Sequence, residues 1–219
     1  MKIRLTLAMA VLAGSTVFAG TRMDVLNAKS KTIGEAMATM LQQSNKPFSV
    51  GASGEDAYDN PGLAVFMFKQ LGLDVPADMQ KLSKIGKTIS KPAKMQAGDI
   101  VFFVNPQNKK ELGSMGVVQS VAADGLSFMF FYADQKQGIV RIASSTEPEF
   151  NGHFKQANRI TSDEELAKIR DAHQKEVENI NKAKDKLTKA QAAVKAAETE
   201  LQNLESAFAK KNEEALQIK

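Results

Sequence analysis

The sequence predicts an α+β fold followed by a long α-helix, and three observations carry that prediction. Apolar residues at helical spacing come first, between Lys29 and Ser44. Short β-branched and aromatic runs follow, between Ile100 and Ile142. After Ser162 neither glycine nor proline occurs, and apolar residues recur every seventh position. Helices followed by successive strands suggest helices packed on an antiparallel sheet. A heptad sustained to the end of a chain suggests a coiled coil.

The chain opens with Lys2 and Arg4, then an apolar stretch from Leu5 to Phe18 that ends Val17-Phe18-Ala19. That run is shorter than the roughly 20 residues a membrane-spanning helix needs. Residues 1–19 therefore read as a signal peptide, cut after Ala19, and the mature protein is expected in the periplasm or secreted. No cysteine is present to take a lipid at a new N-terminus.

Residues 20–44 form an N-terminal helical segment. Ile33, Ala36, Met37, Met40 and Leu41 make one apolar stripe, and Asn45-Lys46-Pro47 ends it because proline cannot continue the ladder. Val50 to Gly54 reads as loop. Pro61 suits the first turn of a second helix, with Leu63, Phe66, Met67 and Leu71 on its buried side and Gly72 closing it. Ile100 to Val104 is a buried strand behind Ala97-Gly98-Asp99, and Met115–Val121, Leu126–Tyr132 and Gly138–Ile142 are further strands. The run Phe128 to Phe131 implies that both sheet faces are covered, by the helices or by a partner. Core packing explains these aromatic residues more simply than a ligand groove does.

The third region, 161–219, is a coiled-coil helix. Ser162 and Glu165 form a capping-box signature. One seam position reads Leu166, His173, Ile180, Leu187, Val194, Leu201, Phe208, Ala215; the other reads Ile169, Glu176, Ala183, Ala190, Ala197, Leu204, Lys211, Ile218. Small residues at the second position let a partner helix approach closely, while His173, Glu176 and Lys211 weaken the seam and set register. As one helix it would extend on the order of 80 Å.

Composition excludes several functions. Without cysteine there are no disulfides and no thiolate metal sites. His153 and His173 are the only histidines, so no metal centre and no cofactor is expected. The net charge of +4 is not gathered into a basic patch interleaved with aromatics, so nucleic acid is not expected as a partner.

Asp59-Asn60-Pro61-Gly62-Leu63 resembles the Asp-Cys-Ser-Gly-Leu segment of NlpC/P60 cell-wall peptidases. Gly98-Asp99-Ile100-Val101-Phe102-Phe103 is similar to that family's Gly-Asp-Leu-Val-Phe-Phe strand, and Val75-Pro76 with Gln80 to its Leu-Pro-Arg and later glutamine. Ser114-Met115-Gly116-Val117 resembles its His-Val-Gly-Ile, and Tyr132-Ala133 its His-Ala ahead of Gly138-Ile139-Val140-Arg141-Ile142. The resemblance spans 45–160 and implies a papain-like domain with N-terminal helices packed on an antiparallel sheet. It also implies that the nucleophile, base and orienting residue fall on Asn60, Ser114 and Tyr132. An amide cannot replace a thiolate, and a serine hydroxyl is no base near neutral pH. The resemblance thus implies a member with no catalytic residues.

Asp59, Asn60, Gly62 and Tyr132 are the candidate ligand-binding residues; in the resembled family the acid before the nucleophile helps hold the free amine of a stem peptide. The expected partners are a peptidoglycan stem peptide, and a second copy or an envelope protein through 161–219. Two alternatives stay open: a purely structural coiled-coil scaffold, and a hydrolase with relocated chemistry. A Ser114–His153 pair would serve the latter. Glu55, Asp56 and Asp59 read more simply as loop and helix N-terminal charge than as paired acids.

Overall fold

The computed structural model describes residues 24–25, 27–54 and 56–216, with side chains to residue 211. Residues 1–19, Glu55 and Ile218 lie outside the described residues, and with them the signal-peptide reading. The chain divides into two compact units, Met1–Arg170 and Asp171–Lys219.

Helix α1 runs Ile33–Leu41, with Thr32 as its N-cap accepting a hydrogen bond from the Glu35 N–H. Its ends coincide with those of the apolar stripe, Ile33 and Leu41. The chain leaves it through Asn45, at φ 68, and residues 45–48 then run beside β5. Asn45 N–H donates to Val140, Val140 N–H to Lys46, and Phe48 N–H to Gly138. Helix α2 spans Asn60–Gln70, and a single turn, α3, spans Met79–Leu82.

The strands are β1 (Lys87–Ile89), β2 (Ile100–Val104), β3 (Leu112–Val121), β4 (Phe128–Asp134), β5 (Ile139–Ser144) and β6 (Phe154–Arg159). They form one sheet in the order β1-β6-β2-β3-β4-β5, and every neighbouring pair is antiparallel. The architecture is α+β, as expected.

Two of these strands, β1 and β6, have no counterpart in the sequence pattern, and α3 is likewise unforeseen. After His153 the chain re-enters the sheet as β6, an interior strand. Phe154-Lys155-Gln156-Ala157-Asn158-Arg159 lacks an apolar alternation because its buried polar groups are satisfied instead. The Asn158 amide donates to the Leu82 and Ile85 carbonyls. Arg159 makes paired bonds to Asp99 at 2.8 and 2.9 Å. A buried polar group that finds partners avoids most of its desolvation cost.

The sheet carries a core on each face. Phe102, Met115, Val117, Phe131 and Ala133 join Met40, Leu63, Met67 and Phe68 of the helices. The other face gathers Val101, Phe103, Val118, Phe128 and Phe130 under Phe150 and Met95. The chain itself supplies the second cover: Phe150, from the β5–β6 connection, stacks 4.9 Å from both Phe103 and Phe130. Edge-to-face and tilted contacts of this kind add to the burial of the rings.

Helix α4 runs Asp163–Leu216. Its capping box closes as the sequence expects: Glu165 N–H donates to Ser162 Oγ, and Ser162 N–H donates to Glu165 Oε2. Leu166 is buried, and Asp163 accepts the Ile33 N–H that opens α1. Further along, Ile180, Leu187, Val194, Leu201, Leu204 and Phe208 are all more than half exposed. No helix among the described residues is long and apolar enough to cross a membrane.

Candidate functional site

The site is built at the N-terminus of α2. Asp59 is the N-cap, and both its oxygens are engaged at 2.7 Å: Oδ1 accepts the Gly62 N–H and Oδ2 the Gly51 N–H. The loop is drawn in further by Asp59 N–H donating to the Ala52 carbonyl. Only glycine fits at 62, since a Cβ there would sit 2.0 Å from the Ala52 oxygen. Gly62 therefore stands behind the site, buried, with its N–H already donated.

Asn60 is the first helical residue, and its amide faces β4. Oδ1 accepts the Ala133 N–H at 2.8 Å, and Nδ2 donates to the Ala133 carbonyl at 3.2 Å. The register between β3 and β4 ends at Val117↔Phe131, whereas β4 continues along β5 as far as Asp134↔Ile139. The Asn60 side chain thus stands where another ladder partner would, and satisfies backbone groups that would otherwise be left buried.

Tyr132 precedes Ala133 and packs edge-on against Phe130 and Phe150, at 6.1 and 5.1 Å between ring centres. The Arg141 guanidinium lies 5.8 Å from its ring centre. Burial, with the negative charges of Glu149 and Asp134 and against the pull of Arg141, raises the phenol to about 12. It is a neutral hydroxyl across the physiological range.

An ion network anchors this corner. Arg141 binds Asp134 at 2.7 Å, Glu147 at 2.9 and 2.7 Å, and Glu149 at 3.3 Å. Burial favours the neutral form of Asp134, yet bonds from Arg141 and from the Gln137 and Lys136 N–H groups outweigh it, so the carboxyl lies below its ordinary value. Glu147 is also lowered, chiefly by its Arg141 bond.

A shallow hollow of about 210 Å³ opens here, lined by Asp59, Asn60, Ser114, Met115, Tyr132 and Phe48 among others. The three positions singled out in the sequence, Asn60, Ser114 and Tyr132, therefore meet at one place. His153 is not in the lining. Ser114 pairs with Phe103 from one side, and Phe154 pairs with it from the other. Two strand spacings, roughly 10 Å, separate those neighbours. Asp56 lies beside a different surface depression, with Gln42 and Lys46. Among the described residues no group of three or more His, Asp or Glu could hold a metal ion.

Sequence reasoning missed Ala133 and Arg141 as site components. Ala133 acts only through its backbone, which no residue pattern reports. Arg141 could have been found as a lone charge in an otherwise apolar strand.

The family model for NlpC/P60 matches residues 45–159. The chain belongs to the NlpC/P60 family. An NlpC/P60 family protein from Bacillus cereus ATCC 10987 superposes with a TM-score of 0.52 at 18% identity, over 58% of this chain and 40% of that one. NlpC2 from Trichomonas vaginalis gives 0.50 at 17% identity, over 62% and 49%. The NlpC/P60 domain of the peptidoglycan hydrolase SagA gives 0.47 at 16% identity, over 58% and 97%. The chain spans less than half the length of the first two structures, and what it shares with them is the fold. No curated protein matches it. The NlpC/P60 match runs from the bend after α1 to the end of β6, and so contains the whole hollow.

Proposed function

We propose that this NlpC/P60 protein is exported and non-catalytic, binds a cell-wall peptide in the hollow at the start of α2, and assembles through α4. Members of the family are typically peptidoglycan hydrolases. The observation that carries the departure is the pairing of Asn60 with Ala133: the position that would hold the nucleophile holds an amide with its donor and acceptor both engaged. No cysteine elsewhere in the chain can take over. Ser114 beside it offers a hydroxyl where the chemistry needs a base.

What the hollow retains suits recognition. Each Asp59 oxygen accepts one backbone N–H and has a further lone pair for an ammonium group. Tyr132 forms part of the wall, and the half-buried Phe48 gives apolar contact. A stem peptide carrying a free amine matches that set. The test is a titration of the full chain with purified muropeptides, read by chemical-shift changes at Asp59, Asn60 and Tyr132. Shifts confined to those residues support the reading; none at millimolar ligand would leave only the scaffold function.

A further inference from the structure

We infer that α4 pairs antiparallel with α4 of a second copy of this chain, about a two-fold axis passing near Gln191 and Ala193. This rests on the assembly half of the proposed function and is independent of peptide binding. The apolar seam of α4 is bare where it is most regular: Ile180, Leu187, Val194 and Leu201 are 52 to 58% exposed. An apolar stripe alone does not name its occupant. The charges flanking this stripe do.

In the heptad, the positions bordering the seam carry Lys184 and Lys186 before the midpoint and Glu198, Glu200 and Glu205 after it. One half of the border is basic and the other acidic. In an antiparallel pair, border positions of like type face each other. With Leu187 set against Ala197 of the second copy, Lys184 meets Glu198 and Lys186 meets Glu200. Symmetry repeats both pairs on the far side of the axis. The same register sets Val194 on Ala190, Leu201 on Ala183 and Ile180 on Leu204, so Ala183, Ala190 and Ala197 each receive a large residue. Large residues set on small ones fill the interface without voids.

A parallel pair is worse on both counts. It stacks Ala183, Ala190 and Ala197 on their own copies, leaving gaps, and sets Glu200 beside Glu205 of the second copy. Like charges in those positions oppose pairing. Outside the stretch from Ile180 to Leu204 polar residues interrupt the antiparallel seam, His173 and Glu176 before it and Lys211 after it, with Phe208 set against Glu176 of the second copy.

The absence of native cysteine allows clean single labels on the full chain. Lys175→Cys and Lys189→Cys, both on exposed positions, would each carry a spin label, with the oligomeric state read by analytical ultracentrifugation without peptidoglycan. The expected result is a dimer with label separations of about 50 Å at 175 and about 20 Å at 189, from 1.5 Å rise per residue and the interaxial spacing. A monomer at every concentration overturns the proposal; so do short distances at both sites, or a 175 separation displaced by a heptad to about 40 or 60 Å. Lys184→Glu with Lys186→Glu should raise the dimer dissociation constant about tenfold or more, and an unchanged constant would remove its electrostatic basis. None of these readouts involves a muropeptide, so their failure leaves the binding reading standing, and failure of binding leaves the dimer standing.

Discussion

Asn60 and Ala133 are joined as though they were partners in a sheet: one side-chain amide donates to the Ala133 carbonyl at 3.2 Å and accepts its N–H at 2.8 Å. The two residues come from the N-terminus of α2 and from β4, 73 positions apart. The bond therefore ties helix to sheet at the place where β3 and β4 part. Asn60, the residue that the motif resemblance sets at the nucleophile position, acts in this structure as a clamp.

Asn60→Ala removes both bonds and strands a partly buried N–H and C=O on β4. The expected loss is about 1–3 kcal/mol of stability, measured by urea denaturation. A loss within error would mean that water or a shift of β3 replaces the clamp without penalty.

Asn60→Cys supplies a thiol but no base to ionise it, because Ser114 holds its own proton near neutral pH. Assayed on purified peptidoglycan, this variant is expected to release no more soluble fragments than the natural chain.

Asp59 separates stability from recognition. Asp59→Asn keeps one acceptor oxygen for the Gly62 N–H but loses the acceptor for the exposed Gly51 N–H, and should lose about 1 kcal/mol or less; Asp59→Ala loses both acceptors and should lose about 1–2 kcal/mol. Both should weaken binding of an amine-bearing muropeptide about tenfold by calorimetry, from loss of one charge-assisted contact. Equal affinity in Asp59→Asn would remove the carboxylate from the binding set.

Gly62→Ala forces a Cβ to within 2.0 Å of the Ala52 oxygen. That contact is with backbone and cannot be relieved by rotating a side chain. About 1–3 kcal/mol of destabilisation is expected, with the loop from Gly51 to Gly54 displaced in hydrogen exchange.

Acid sensitivity should trace to Arg141. Asp134 and Glu147 are held below their ordinary values of 3.8 and 4.5 in the folded protein. The unfolded chain takes up those protons first as pH falls, so their contribution is full above about pH 5 and fades below it. Melting temperature should be level from pH 7 to 5 and decline beneath pH 4.5. Arg141→Met should lower the plateau and flatten the decline.

Much of the fold was legible because its apolar elements obey simple periods. The stripe of Ile33, Met37 and Met40 and the run Ile100 to Val104 each announce a buried surface. The capping box at Ser162 and Glu165 announces the start of α4. Strand β6 was not legible, since Gln156, Asn158 and Arg159 reach the interior by hydrogen bonding rather than by apolarity. Nor was the cover over Phe103 and Phe130, which a single loop residue, Phe150, supplies from twenty positions beyond Phe130. The candidate site was half legible. The resemblance to NlpC/P60 motifs located Asn60, Ser114 and Tyr132, but the Ala133 backbone that engages Asn60 leaves no mark in the sequence.

The most direct measurement incubates the full chain with purified peptidoglycan, then assays the pellet for protein and the supernatant for released fragments. The account predicts protein in the pellet and no fragments. Soluble fragments whose release is lost in Ser114→Ala or His153→Ala would contradict it, and would restore this NlpC/P60 protein to the hydrolases by a route without cysteine.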